Sequence, residues 1–221
     1  MTLPELIFKN FLEPFAYLVY AIIFLLKIYN ETNVEQKVLF VFYVVATILL
    51  TAASVLVLYA NQNVDNVWMY NIFYLLTICV LSWFFYRLLY GRLKRAFIKI
   101  SLAANVIIFI IYDIILHHFV GSYNGYVYAI CYISIVAYSF MYFNQLLANV
   151  TEKSILNNFN FWLVSGYLFN YLGAFIIILL YRTVDLDDTG NVWAMQNIIL
   201  FLSALITLAG YLRTSRRKRY F

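Results

Sequence analysis

A chain of 221 residues that is 65% hydrophobic and 11% charged carries more apolar side chain than a water-soluble core can bury. Its mean hydropathy is +0.84, and soluble domains run at roughly 45–50% apolar and about 25% charged. The net charge of +5 would suit nucleic acid, but the cations sit in one loop and one tail and do not spread over a face. That pattern excludes a nucleic-acid partner and points to a lipid bilayer.

Two prolines and seven glycines leave little material for loops. The expectation is an all-α integral membrane protein, a single seven-helix transmembrane domain over residues 1–221. A helix needs about 20 apolar residues to cross hydrocarbon, and seven segments meet that length: 11–28, 38–60, 67–89, 96–116, 126–147, 161–181 and 192–212. Glu13 and Pro14 lie at the start of the first apolar run and no small-x-small site follows it, so it reads as a retained helix and not a signal peptide. Polar turns at 30–33 and 61–65 separate the first three segments.

Five cations cluster where the third segment gives way to the fourth: Arg87, Arg92, Lys94, Arg95 and Lys99. A basic loop this short between two apolar spans marks the cytoplasmic side. Asp113 interrupts the fourth segment near its end, with His117 and His118 just beyond. Loops at 121–125, 151–158 and 185–190 join the remaining segments, and 213–219 closes the chain with Arg216 and Arg217 among five cations. Alternation from the basic loop puts thirteen of the fifteen Lys and Arg on the cytoplasmic side, leaving only Lys9 and Arg182 outside. The N-terminus is expected outside and the C-terminus in the cytoplasm. Trp68, Trp162 and Trp193 lie near segment ends, as interfacial anchors do.

Polar residues run along each segment at helical spacing. The first carries Glu13, Tyr17, Tyr20 and Lys27; the second Tyr43, Thr47, Thr51 and Ser54; the fourth Ser101, Asn105, Tyr112 and Asp113. The sixth has Gly166, Asn170 and Gly173, and the seventh Gln196, Ser203, Thr207 and Gly210. Such stripes either bond helices together, at roughly 0.6–2 kcal/mol per hydrogen bond, or line a cavity. Ionisable groups at depth are the sharper signal, being costly in lipid. The candidate ligand-binding residues are therefore Asp113 and Glu13, with the carboxamides of Asn105, Asn170 and Gln196. The candidate partner-docking residues are Arg92, Lys94, Arg95, Arg216 and Arg217.

Catalytic signatures are missing: no Ser-His-Asp set, no H-E-x-x-H and no Gly-rich phosphate loop. His117 and His118 are the two histidines present, and consecutive helical residues point about 100° apart, which suits neither haem nor a metal. Retinal would need a lysine within 192–212, where none occurs, and the first three segments share no motif with the last three as a two-halved sugar carrier would. Cys79 and Cys131 lie in apolar runs as small apolar side chains. No enzyme activity, metal or cofactor is expected.

The runs Asn160-Phe-Trp-Leu-Val-Ser-Gly-Tyr-Leu-Phe-Asn-Tyr-Leu-Gly173 and Val192-Trp-Ala-Met-Gln-Asn-Ile-Ile199 carry a resemblance. An aromatic-Trp start, a Gly then Tyr, and a Trp opening the last segment resemble small seven-helix membrane proteins of the Bacteroidetes type, often encoded beside sensor histidine kinases. The resemblance implies a bacterial cytoplasmic (inner) membrane protein that senses or assists, and it brings no catalytic residues. The expected function is a sensing or accessory module acting through another membrane protein, a signalling kinase or a larger complex. The alternatives are a small transporter or channel using the polar interior, or a structural subunit.

Overall fold

The structure, a computed structural model, describes residues 3–30, 33–59, 66–116, 125–148, 155–183 and 189–218; of residues 3–10, 30, 57–59, 113, 116, 126, 180–183, 189–193 and 216–218 it describes the backbone alone. Among the described residues there is no strand. Seven helices follow one another: α1 Leu3–Asn30, α2 Val34–Tyr59, α3 Val67–Leu88, α4 Arg92–Phe109, α5 Gly125–Ala148, α6 Phe159–Thr183 and α7 Thr189–Lys218. Each holds a span of 19 to 23 residues, that of α4 running on to Tyr112, with mean hydropathy between 1.4 and 2.5, long and apolar enough to cross a membrane. The protein is a multi-pass bundle of apolar helices.

The helices outrun their apolar cores. α1 begins at Leu3, α2 at Val34 and α4 at Arg92, each ahead of the expected apolar start, and α7 continues to Lys218. Polar residues are no obstacle to helix once the chain leaves hydrocarbon, so the end of apolarity does not mark the end of the helix. α4 passes into a π-helical segment, Ile110–Leu116, whose wider turns carry the backbone of Asp113. Pro14 inside α1 removes one backbone hydrogen bond immediately after Glu13.

α3 is the interior helix, with no exposed residue from Val67 to Tyr86. α4 is the peripheral one: 17% of its span is buried, against 39% or more in every other helix. The closest pairs are α6 with α7 and α1 with α2. Glycine allows the first of these. A Cβ on Gly166 would stand 2.7 Å from Thr207 Oγ1 and 3.0 Å from the Ser203 carbonyl, and one on Gly210 would overlap the side chain of Trp162. Small residues at such crossings let helix backbones approach, which supplies much of the packing energy in lipid. Outward faces carry Leu25, Ile48, Ile107, Phe169, Ile176 and Leu202, all exposed and apolar.

The basic connection between α3 and α4 is short and anchored. Leu89 is extended and Gly91 takes φ 99, a left-handed value that glycine adopts without penalty. The Tyr90 amide donates to Gln145 Oε1 on α5 at 2.8 Å, and Gln145 Nε2 donates back to the Leu88 carbonyl at 3.3 Å. Arg95 Nε bonds the Leu89 carbonyl at 3.1 Å, while Arg95 and Lys99 both lie over the Tyr86 ring. Arg92 is left exposed on this fixed turn and Lys94 half-buried.

Candidate functional site

Near the end of the bundle where α1 starts, polar groups from α1, α3, α5, α6 and α7 enclose a cavity of about 30 Å³. A buried water needs about 10–15 Å³ on this measure, so the space suits one or two water-sized groups. Glu13, a residue 9% exposed, brings a carboxyl group. Among the described residues no hydrogen bond or ion pair engages it, although the hydroxyls of Tyr17 and Tyr70 lie within its electrostatic reach. Asn170 on α6 and Gln196 with Asn197 on α7 supply carboxamides to the same wall.

Aromatic rings complete the enclosure, and their spacing explains how the sequence builds it. On α3, Tyr70, Phe73, Tyr74 and Thr77 recur at i, i+3, i+4 and i+7, one face of a helix. Tyr128 and Tyr132 on α5 stand one turn apart. Hydrogen bonds hold this wall: Tyr128 donates to Asn71 Oδ1 at 2.9 Å, and Tyr74 to the Val127 carbonyl at 3.0 Å.

A tyrosine layer closes the cavity from beneath. Tyr20 stacks on Tyr43 with ring centroids 4.7 Å apart and planes 7° from parallel. The Tyr43 and Tyr167 hydroxyls bond at 2.6 Å, and the Tyr20 hydroxyl bonds Ser203 Oγ at 2.5 Å. Next come Phe24, Leu39, Phe84 and Leu163, none more than 3% exposed. Their far side is the floor of a second cavity, of about 190 Å³, at the opposite end of the bundle. From Tyr17 to Phe24 is seven residues, so about 10 Å of packed rings separates the two spaces. The second cavity is walled by Asn33, Gln36 and Asn160 and by an ion pair in which Arg87 Nε and Nη2 both lie 2.9 Å from Glu35 Oε1.

No protein-family model matches this chain, and neither a curated protein nor a solved structure does.

Of the residues singled out from sequence, Glu13, Asn170 and Gln196 meet at the first cavity. Asn105 does not line it. Its Nδ2 donates to the Ser101 carbonyl at 2.8 Å and to Ser134 Oγ at 3.0 Å, and Oδ1 accepts from the Tyr74 hydroxyl at 3.4 Å, so it ties α3, α4 and α5 together. The side chain of Asp113 lies outside the described residues, as do those of Arg216 and Arg217 and all of His117 and His118. Tyr112 is exposed, away from the interior its stripe suggested. Thr47 and Thr51 turn back to carbonyls of their own helix, Tyr43 at 2.7 Å and Thr47 at 2.6 Å, and so bond no neighbour. Among the described residues no group of three or more His, Cys, Asp or Glu could hold a metal.

Sequence reasoning missed the aromatic wall and Asn197. The signal was present in the i, i+3, i+4, i+7 run of α3, but such a run reads first as ordinary core.

Proposed function

We propose that this protein is a non-enzymatic sensing component of a bacterial inner membrane, oriented with its N-terminus outside and its C-terminus in the cytoplasm. The outer cavity around Glu13 receives the stimulus, and a membrane-embedded partner, a signalling kinase or a larger complex, carries the response. One observation carries this reading: a buried carboxyl group, without a hydrogen-bonding or ionic partner among the described residues, and three carboxamides, from α1, α6 and α7, meet in a cavity above a layer of packed tyrosines. Buried polar groups without partners are expensive and are kept where they are used. A cavity above such a layer suits reception better than passage.

The connections between helices are too short to hold a domain, so output needs a partner surface. Arg92, Lys94 and Arg95 on the anchored turn, with Arg216 and Arg217 on the last helix, supply basic groups on the proposed cytoplasmic side. The resemblance to seven-helix proteins encoded beside sensor kinases supports the same assignment.

The test is purification in mild detergent from cells that naturally make the protein, with identification of what co-purifies. The expected result is a kinase or complex that is retained by the native protein and lost when Arg92, Lys94 and Arg95 are all changed to Gln. A partner held equally by the triple variant would overturn the docking assignment, and recovery of the protein alone would overturn the partner reading.

A transporter is the second reading. It is favoured by the two polar cavities set at opposite ends of α1, α3 and α6. Solute flux in proteoliposomes would establish it in place of sensing.

A further inference from the structure

We infer that the Glu13 cavity is a binding site for an ammonium-sized monovalent cation, with ammonium itself as the fitting ligand. The described wall offers a carboxyl group, carboxamides and aromatic rings, all groups able to hold a cation. The Glu13 carboxyl group projects into it without a hydrogen-bonding or ionic partner among the described residues, and it is more than nine-tenths buried. Asn170, Gln196 and Asn197 add carboxamides from two other helices. Tyr and Phe rings from α1, α3, α5 and α6 make up most of the rest, beside Thr77, Ala174 and Leu200, and aromatic faces attract cations through the ring quadrupole. Among the described residues no lysine or arginine contributes to the wall. Among the described lining residues an anion would meet no cationic side chain.

Size narrows the class. About 30 Å³ holds one or two water-sized groups, which excludes amino acids, sugars and quaternary ammonium ligands. Divalent ions ask for six or more oxygen ligands, commonly several carboxylates, whereas a single carboxyl group stands here. Ammonium has about the size of water and four N–H donors. The carboxylate and the carboxamide oxygens accept some of these, and the ring faces take the remainder. A sodium ion would instead require a close shell of oxygens in place of the rings.

This inference names the ligand of the cavity to which sensing is assigned and rests on that reading for its biological meaning, but its test is binding alone. The purified full chain is unfolded thermally in ammonium chloride, in sodium chloride and in choline chloride at equal concentration, choline being too large to enter. Ligand at 100 times its Kd raises the Tm of a chain this size by about 5–10 °C. The expected result is a rise of that order in ammonium over choline, absent in Glu13→Gln and reduced in Gln196→Leu, which keeps the carboxyl group. An ammonium scan no higher than the choline scan would overturn the inference, as would an equal rise in Glu13→Gln. An equal rise in sodium would overturn the assignment to ammonium. Binding without any partner response would overturn the sensing reading alone.

Discussion

Removing one hydroxyl from the Tyr43–Tyr167 pair tests whether the layer between the cavities is held as described. The two rings belong to α2 and α6, are 2% and 3% exposed, and have their hydroxyl oxygens 2.6 Å apart. Neither hydroxyl has a second partner among the described residues. Tyr43→Phe keeps the ring, with its stacking on Tyr20 at 4.7 Å and on Phe24 at 5.5 Å, so the packing term is nearly unchanged. It strands the Tyr167 hydroxyl among rings. An unsatisfied buried polar group costs about 1–3 kcal/mol, while interhelical hydrogen bonds in membranes average about 0.6 kcal/mol with a ceiling near 1.7. The low average reflects sites where another partner or water steps in, whereas Tyr20, Phe24 and Leu163 around this pair are almost wholly buried. The expected loss is therefore about 1.5 kcal/mol for either single variant, or roughly 3–6 °C in Tm for a chain of this length. The double variant removes both the donor and the orphan, so it should lose little more than one single variant. Thermal unfolding of the four proteins in one detergent measures the cycle. Additivity of the two losses to within about 0.3–0.5 kcal/mol would show that the hydroxyls are not coupled and would refute the account of the layer.

Three further outcomes follow from the same geometry. Asn105→Leu should destabilise the bundle by about 1–2 kcal/mol, because it removes the bonds from α4 to Ser134 and Tyr74; unchanged thermal stability would remove its role as a tie between helices. Gly210→Ala should lower Tm by more than any conservative change on an outward face, since the new methyl would overlap Trp162 and overpacking costs about 1–3 kcal/mol; stability equal to the native protein would contradict the α6–α7 crossing. Reporter fusions after residues 63, 124 and 187 should report the outside and a fusion after residue 221 the cytoplasm, and a cytoplasmic signal at the first three would reverse the proposed orientation.

The seven spans were legible because hydrocarbon imposes one length on every crossing helix, and the apolar runs show it directly. Their ends were not, since residues such as Arg92 and Glu35 are helical outside the apolar core. The interior was half legible. Asn105 and Asn170 are the same side chain on similar stripes, yet one finds Ser134 and Tyr74 across a helix interface while the other faces a cavity. What separates them is which neighbours arrive from α3 and α5, and helical spacing carries no record of that. Thr47 and Thr51 show the same limit, because a hydroxyl can bond its own helix one turn back and leave the stripe with nothing to say about a neighbour.

The central claim is that Glu13 is kept for use and not for stability, and one comparison tests it directly. Thermal stability is measured for the native chain, Glu13→Gln and Glu13→Leu in the same detergent without added ammonium. A carboxyl group costs up to about 2.5–3.5 kcal/mol at the centre of a membrane helix and less toward its ends, and among the described residues Glu13 has no partner to offset its burial. Both variants should therefore match or exceed the native protein, with Glu13→Leu higher by about 2–4 °C for each kcal/mol relieved, while the partner-dependent response is lost. A fall in stability for both variants, of the size expected for a lost interhelical hydrogen bond, would contradict the claim and make Glu13 a structural residue.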